Sequence, residues 1–124
     1  ELRGRLPTVK LVQVIHVLDE KSVDEALDKS PFVDALLLDS GNPALKTKIL
    51  GGTGKVHNWK LSRKIVQLSK VPVFLAGGLN PENVRRAIEE VQPFGVDVCS
   101  GVRTNGKLDP VKLKAFTQKV FDGL

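Results

Sequence analysis

Apolar and polar residues along the chain alternate between two rhythms, one suited to strands and one to helices. Residues 9–17, VKLVQVIHV, are dominated by β-branched apolar side chains and predict a strand. Ser22 with Glu25 three residues later is a capping-box pattern. Val23, Ala26 and Leu27 then recur at helical spacing as far as Ser30, and Pro31 ends that helix. Residues 34–39, DALLLD, predict the next strand, followed by a long loop from Ser40 to about Asn58 that holds GGTGK at 51–55. Residues 59–69 return to helical spacing, and 70–76 predict a third strand broken by Gly77 and Gly78. Asn80 and Pro81 predict an N-cap with proline at the first helical position, opening a helix over Glu82–Val91 that Pro93 and Gly95 stop. Residues 96–99, VDVC, predict a fourth strand, and Ser100-Gly101 begin another loop. Asp109 caps a last helix led by Pro110 and ending near Phe121.

The pattern is four consecutive βα units. Strands that are nearly continuous apolar runs are expected where both faces of a sheet are covered, and the alternating order predicts parallel strands with right-handed crossovers in an α/β fold. Nothing interrupts the 124 residues as a linker, so one domain is expected. Four helices on one face of a four-stranded sheet would leave the other face bare. Either the units wind on both sides or another chain supplies the cover. Asp39 and Asp97 fall at strand ends on what would be that face.

The formal charge of +5 is mild, and the lysines and arginines of 60–70 and 112–119 interleave with apolar residues as the solvent faces of amphipathic helices do. With five Phe, one Trp and no Tyr, stacking platforms for single-stranded nucleic acid are scarce, so a small anionic metabolite suits the charge better. The apolar runs are too short for a membrane span. One Cys and no secretory signal predict a reducing, cytoplasmic setting without disulfides. The absence of Met and the opening on Glu1 predict a processed chain or a piece of a longer one.

The candidate chemistry falls just after the carboxyl ends of the strands, where parallel α/β proteins gather their active sites: Asp39 and Ser40, Gly77 and Gly78, then Cys99, Ser100 and Gly101. Glycine lets backbone N–H groups approach an anion closely at the start of a helix, so the two glycine loops after consecutive strands predict one phosphate site; ordinary turn glycines are the alternative. GGTGK lacks the spacing of a nucleotide-binding loop and of the dinucleotide fingerprint. A lid over the substrate, made by Gly51, Gly52, Thr53, Gly54 and Lys55, fits it better. His16, His57 and Cys99 form no metal-ligand spacing, and His16 is expected to be a polar residue of strand or loop.

LLLDSG at 36–41, GGTGKVHNW at 51–59, FLAGGLNPENV at 74–84 and FGVDVCSGVR at 94–103 together resemble the phosphoribosylanthranilate isomerases of tryptophan biosynthesis. The family folds as a (β/α)₈ TIM barrel. The resemblance covers only its C-terminal half, with residues 9–121 corresponding to strand five through helix eight and 1–8 leading in as part of a single partial-barrel domain. The bare sheet face would then be a barrel's inner wall, covered by the missing N-terminal half or by a second half-barrel chain. The resemblance implies an Amadori rearrangement of a phosphosugar substrate with no metal or other cofactor. Asp39 matches the general acid. Gly77, Gly78, Asn80, Ser100 and Gly101 match the phosphate-binding region, and Asp97 matches an acidic residue facing the substrate. Asn58 departs from the Asp common before that Trp. The family's general base, a Cys on the first strand, and the basic residue that meets the anthranilate carboxylate belong to the missing half, so this chain alone is expected to be inactive. Cys99 is expected to be a buried, inert thiol rather than a substitute base. A non-catalytic phosphate-binding half-barrel and another phosphosugar TIM-barrel enzyme are the alternatives.

Overall fold

Each predicted strand finds its neighbour in chain order. In the computed structural model, which describes residues 2–39 and 53–122, β1 (Val12–His16), β2 (Ala35–Asp39), β3 (Val73–Ala76) and β4 (Gly95–Val96) form one parallel sheet in the order β1-β2-β3-β4. Pairing places Val14 opposite Leu37, His16 opposite Asp39, Asp39 opposite Ala76 and Leu75 opposite Val96. A doubly wound sheet would reverse its strand order partway; this one does not.

The alternating residues Ile15, Val17, Leu36, Leu38, Val73 and Leu75 are buried, and they meet the apolar stripes of the helices. These are α2 (Glu20–Lys29), α3 (Thr53–Leu68), α4 (Val84–Val91) and α5 (Pro110–Phe121), preceded by a single-turn helix α1 (Leu2–Arg5). Helix α2 packs on α3, α3 on α4 and α4 on α5, so the helices form one row over one face. The burial of a Leu or Ile such as Leu38 or Ile65 contributes about 1.5–3 kcal/mol each. The opposite face carries Val12, 55% exposed, and Val14, 43% exposed. Phe74 lies on it too, its ring crossing Gly95 so closely that a Cβ there would stand 2.8 Å from two ring carbons. The expected bare face is thus present.

Several boundaries differ from expectation for identifiable reasons. Helix α2 starts earlier than the Ser22 cap predicts, because Asp19 is the N-cap: its carboxylate accepts from Lys21 N at 2.9 Å, and Ser22 Oγ accepts from Asp19 N at 3.3 Å. Helix α3 begins at Thr53 rather than 59, since glycine near a helix terminus costs little against the apolar stripe that follows. Lys70–Pro72 precede the third strand instead of joining it, held in a turn where Ser69 Oγ accepts from Val71 N at 3.1 Å. Asn80 Oδ1 accepts from the N–H groups of Glu82 and Asn83 at 2.9 Å, a separate turn that delays α4 to Val84. Gln92, in the left-handed conformation, ends α4 one residue before Pro93. Beyond β4 a small hairpin, β5 (Arg103–Thr104) and β6 (Lys107–Leu108), turns on Asn105 and Gly106, both at positive φ, as a two-residue hairpin requires. Asp109 caps α5 as predicted, accepting from Val111 N at 3.0 Å and Lys112 N at 3.2 Å. Among the described residues no helix is long and apolar enough to cross a membrane.

Candidate active site at the carboxyl edge of the sheet

Register brings the strand-end side chains together. His16 and Asp39 are paired positions on β1 and β2, and Asp39 pairs with Ala76 on β3. Asp97 follows directly after β4 and donates its N–H to the Leu75 carbonyl at 2.9 Å, which keeps it in step with Ala76. Side chains at paired positions of a sheet share a face. His16, Asp39, Ala76 and Asp97 therefore form one row across the open face at its carboxyl edge. Ala76 is nearly covered, Asp39 half-buried and Asp97 exposed. His16 Nδ1 stands 3.7 Å from Asp39 Oδ2.

The two glycine loops meet beside this row. Gly77 and Gly78 follow β3 at φ 91° and 69°, values that an L-residue with a Cβ rarely adopts. They swing the chain into a turn locked by its own side chains. Asn83 Nδ2 donates to the Gly78 carbonyl at 2.9 Å, and Asn83 Oδ1 accepts from Asn80 N at 2.9 Å. Asn80 is thereby engaged through both its N–H and its Oδ1 in shaping this loop. Ser100 and Gly101 begin a short 3₁₀ turn over Ser100–Val102. A Cβ on Gly101 would fall on the Leu79 carbonyl oxygen and lie 3.0 Å from the Asn80 Cα. Backbone thus presses on backbone, and the loops after β3 and β4 form one continuous rim. Exposed Ser100 leaves its hydroxyl at the surface of that rim.

Other expected residues fall differently. Gly51 and Gly52 of the lid stretch lie outside the described residues, as does Ser40. Thr53, Gly54 and Lys55 form the first turn of α3 rather than a loop. Cys99 is exposed, not buried. With β4 ending at Val96, Val98 takes the place against the core and Cys99 is left at the open edge. His16 carries no signal in the sequence beyond that of a polar residue in a strand or loop. Its alternation with buried Ile15 and Val17 assigns it to the open face, but its partner becomes visible only through the β1–β2 register.

Two carboxylates and a histidine share the carboxyl edge of four parallel βα units beside two glycine loops, and the fold is that of half a (β/α)₈ barrel. The comparisons with known proteins agree on the fold. The family model described as N-(5'-phosphoribosyl)anthranilate (PRA) isomerase matches residues 2–119. The chain belongs to that family. It is 44% identical to the N-(5'-phosphoribosyl)anthranilate isomerase of Methanosarcina acetivorans over 95% of this chain and 52% of the relative. The solved phosphoribosyl anthranilate isomerase of Thermotoga maritima superposes with a TM-score of 0.78 at 35% identity, covering 99% of this chain and 56% of that one. A further solved isomerase, in complex with reduced 1-(o-carboxyphenylamino)-1-deoxyribulose 5-phosphate, matches with a TM-score of 0.74 at 31% identity, over 99% of this chain and 54% of that one. The chain spans about half the length of the relatives it matches. Its four parallel βα units correspond to half of their barrel.

Proposed function

We propose that these four units are strands five to eight of a phosphoribosylanthranilate isomerase barrel, with residues 9–121 supplying strand five through helix eight and 1–8 leading in. Completed by the first four units, the barrel converts N-(5-phosphoribosyl)anthranilate to 1-(2-carboxyphenylamino)-1-deoxyribulose 5-phosphate. Asp39 acts as general acid, protonating the furanose oxygen as the ring opens to the iminium. A base from the other half removes the C2 proton, and the resulting enolamine becomes the ketone. The rim of Gly77, Gly78, Ser100 and Gly101 receives the 5-phosphate through backbone N–H groups, with Asn80 shaping the turn behind it, and Asp97 faces the sugar.

What supports this reading above all is the pairing of the Asp39–Asp97 row with the joined glycine loops at one strand edge. That arrangement puts an acid and an anion-receiving backbone on the same side of one small molecule. The reaction needs both ends held, because ring opening at one end is productive only when the phosphate fixes the other.

The chain by itself lacks the base and is inactive. The experiment follows the fluorescence of the anthranilate adduct. The completed barrel consumes it, the isolated chain does not, and Asp39→Asn in the completed barrel lowers turnover by about 10²-fold or more while binding of the reduced product analogue persists. Full turnover by Asp39→Asn overturns the acid assignment. Turnover by the isolated, monomeric chain overturns the need for a second half.

A further inference from the structure

His16 is held more firmly than a surface histidine needs to be. Its carbonyl accepts from Ser22 Oγ at 3.2 Å, and the same oxygen of Ser22 accepts from Leu18 N at 2.9 Å. Ser22 is itself buried. The next residue, Val17, donates its N–H to the Asp39 carbonyl at 2.9 Å. The backbones of positions 16 and 39 are therefore fixed against each other before any side-chain contact is counted. On that frame the imidazole Nδ1 lies 3.7 Å from Asp39 Oδ2. The histidine side chain is 53% exposed and that of Asp39 30% exposed, so the imidazole gains little from burial. The contact is longer than a hydrogen bond, but a side-chain rotation that closes less than 1 Å (about 0.5–0.9 Å) makes it one.

Asp97 is two strands from Asp39 across Ala76, about 10 Å away at normal strand spacing. Asp19, further along the chain, directs its carboxylate to the N-terminus of α2.

We propose that His16 is a positioning residue for Asp39. Nδ1 holds Oδ2 toward β1, which fixes the rotation of the carboxyl group and so the direction in which its other oxygen meets the ring oxygen of the substrate. A neutral imidazole in its Nδ1–H tautomer serves this purpose: it donates to Oδ2 of the carboxylic acid, and the acid's own proton stays on the other oxygen, from which it passes to the ring oxygen. The inference rests on the reading of Asp39 as the acid, and it adds a residue to which no role was assigned from the sequence.

The test uses His16→Asn, His16→Gln and His16→Ala in the completed barrel. An asparagine amide reaches the place of Nδ1, whereas a glutamine amide reaches that of Nε2. Ala and Gln are expected to lower kcat about 10-fold or more with KM changed less than about 2-fold, while Asn stays within about 3-fold of the parent. All three are expected to melt with the parent, since the side chain is half in solvent. Parent-like kcat in His16→Ala, equal rescue by Gln and Asn, or a loss confined to KM each overturn the proposal. Asp39→Asn separates the two layers. If it retains turnover, the acid assignment falls and this inference with it. If it is inactive while His16→Ala is fully active, only the positioning role falls. With both assignments right, adding His16→Ala to Asp39→Asn slows the enzyme no further.

Discussion

A β-carbon at position 101 has no room. It would occupy the position of the Leu79 carbonyl oxygen, and the obstacle is backbone, which no rotamer change can clear. Gly101→Ala must therefore force the loops after β3 and β4 apart, at a cost of about 1–3 kcal/mol of stability. The rim geometry is lost along with it. The expected result is a lower melting temperature by circular dichroism together with at least about 10-fold weaker binding of inorganic phosphate by the completed barrel, read by calorimetry. Unchanged phosphate binding would show that the two loops do not act as one rim. Glycines of this kind stand out in a sequence because few other reasons place two of them directly after an apolar run. Asp39 stands out likewise, as a charge closing DALLLD. His16 does not, since a polar residue ending a strand is ordinary and its value comes from the neighbouring strand. Cys99 misleads for the same reason: VDVC looks like a full strand, but pairing stops at Val96 and the thiol is left exposed.

Elements are held by a few capping and tying groups whose strength depends on protonation. Asp109 is the clearest. The Thr104 hydroxyl, donating at 2.7 Å, holds its carboxyl below the ordinary value, and the N–H groups of Lys112 and Val111 add to this. Asp34 shows the same direction, chiefly through Leu11 N at 2.7 Å and then Arg3 at 3.0 Å, which tie α1 and the start of β1 to β2. A carboxyl depressed in the folded state adds stability that is complete above its unfolded pKa, near 4, and disappears as pH falls through the folded value. Asp109→Ala is therefore expected to melt below the parent at pH 7, and the gap is expected to narrow as the pH drops from about 4 toward about 2. A gap that widens in acid would contradict the sign. At the other side of the helical layer, Trp59 is buried on α3, with the Arg86 guanidinium of α4 5.7 Å from its ring centroid. Trp59→Ala should cost about 3–5 kcal/mol in denaturant unfolding. Element ends were legible where one residue decides, as Asp109-Pro110 does. They were not where two signals compete: Asp19 and Ser22 both serve α2, and Asn80 starts a turn that α4 does not join.

The whole molecule follows from a sheet covered on one face only. That imbalance was legible from the count of βα units, whereas the identity of the side chains on the bare face required the pleat and the register. Val14 is 43% exposed there, paired with Leu37 and two residues before His16. In a closed barrel such positions fill the interior with branched apolar side chains in layers. The same substitution therefore has opposite consequences in the two states. In the isolated chain Val14→Glu places a carboxylate in water, a change of about 0.5 kcal/mol or less. In the proposed completed barrel it encloses an unpaired charge, at a cost of several kcal/mol (~3–5), enough to reverse a modest association. The expected outcome is a Val14→Glu chain whose thermal unfolding matches the parent but which no longer co-elutes with the N-terminal half on size exclusion. If the variant still assembles and turns over substrate, Val14 does not face a closed interior, and the half-barrel is completed in some other way. A charge reversal on the solvent side, Lys64→Glu, is the matching control. Lys64 is half-exposed and reaches Glu20 at 3.1 Å across the outer surface of the helices. Removing that pair shifts stability by about 1 kcal/mol or less and leaves assembly intact, because the helical face does not take part in closing the barrel.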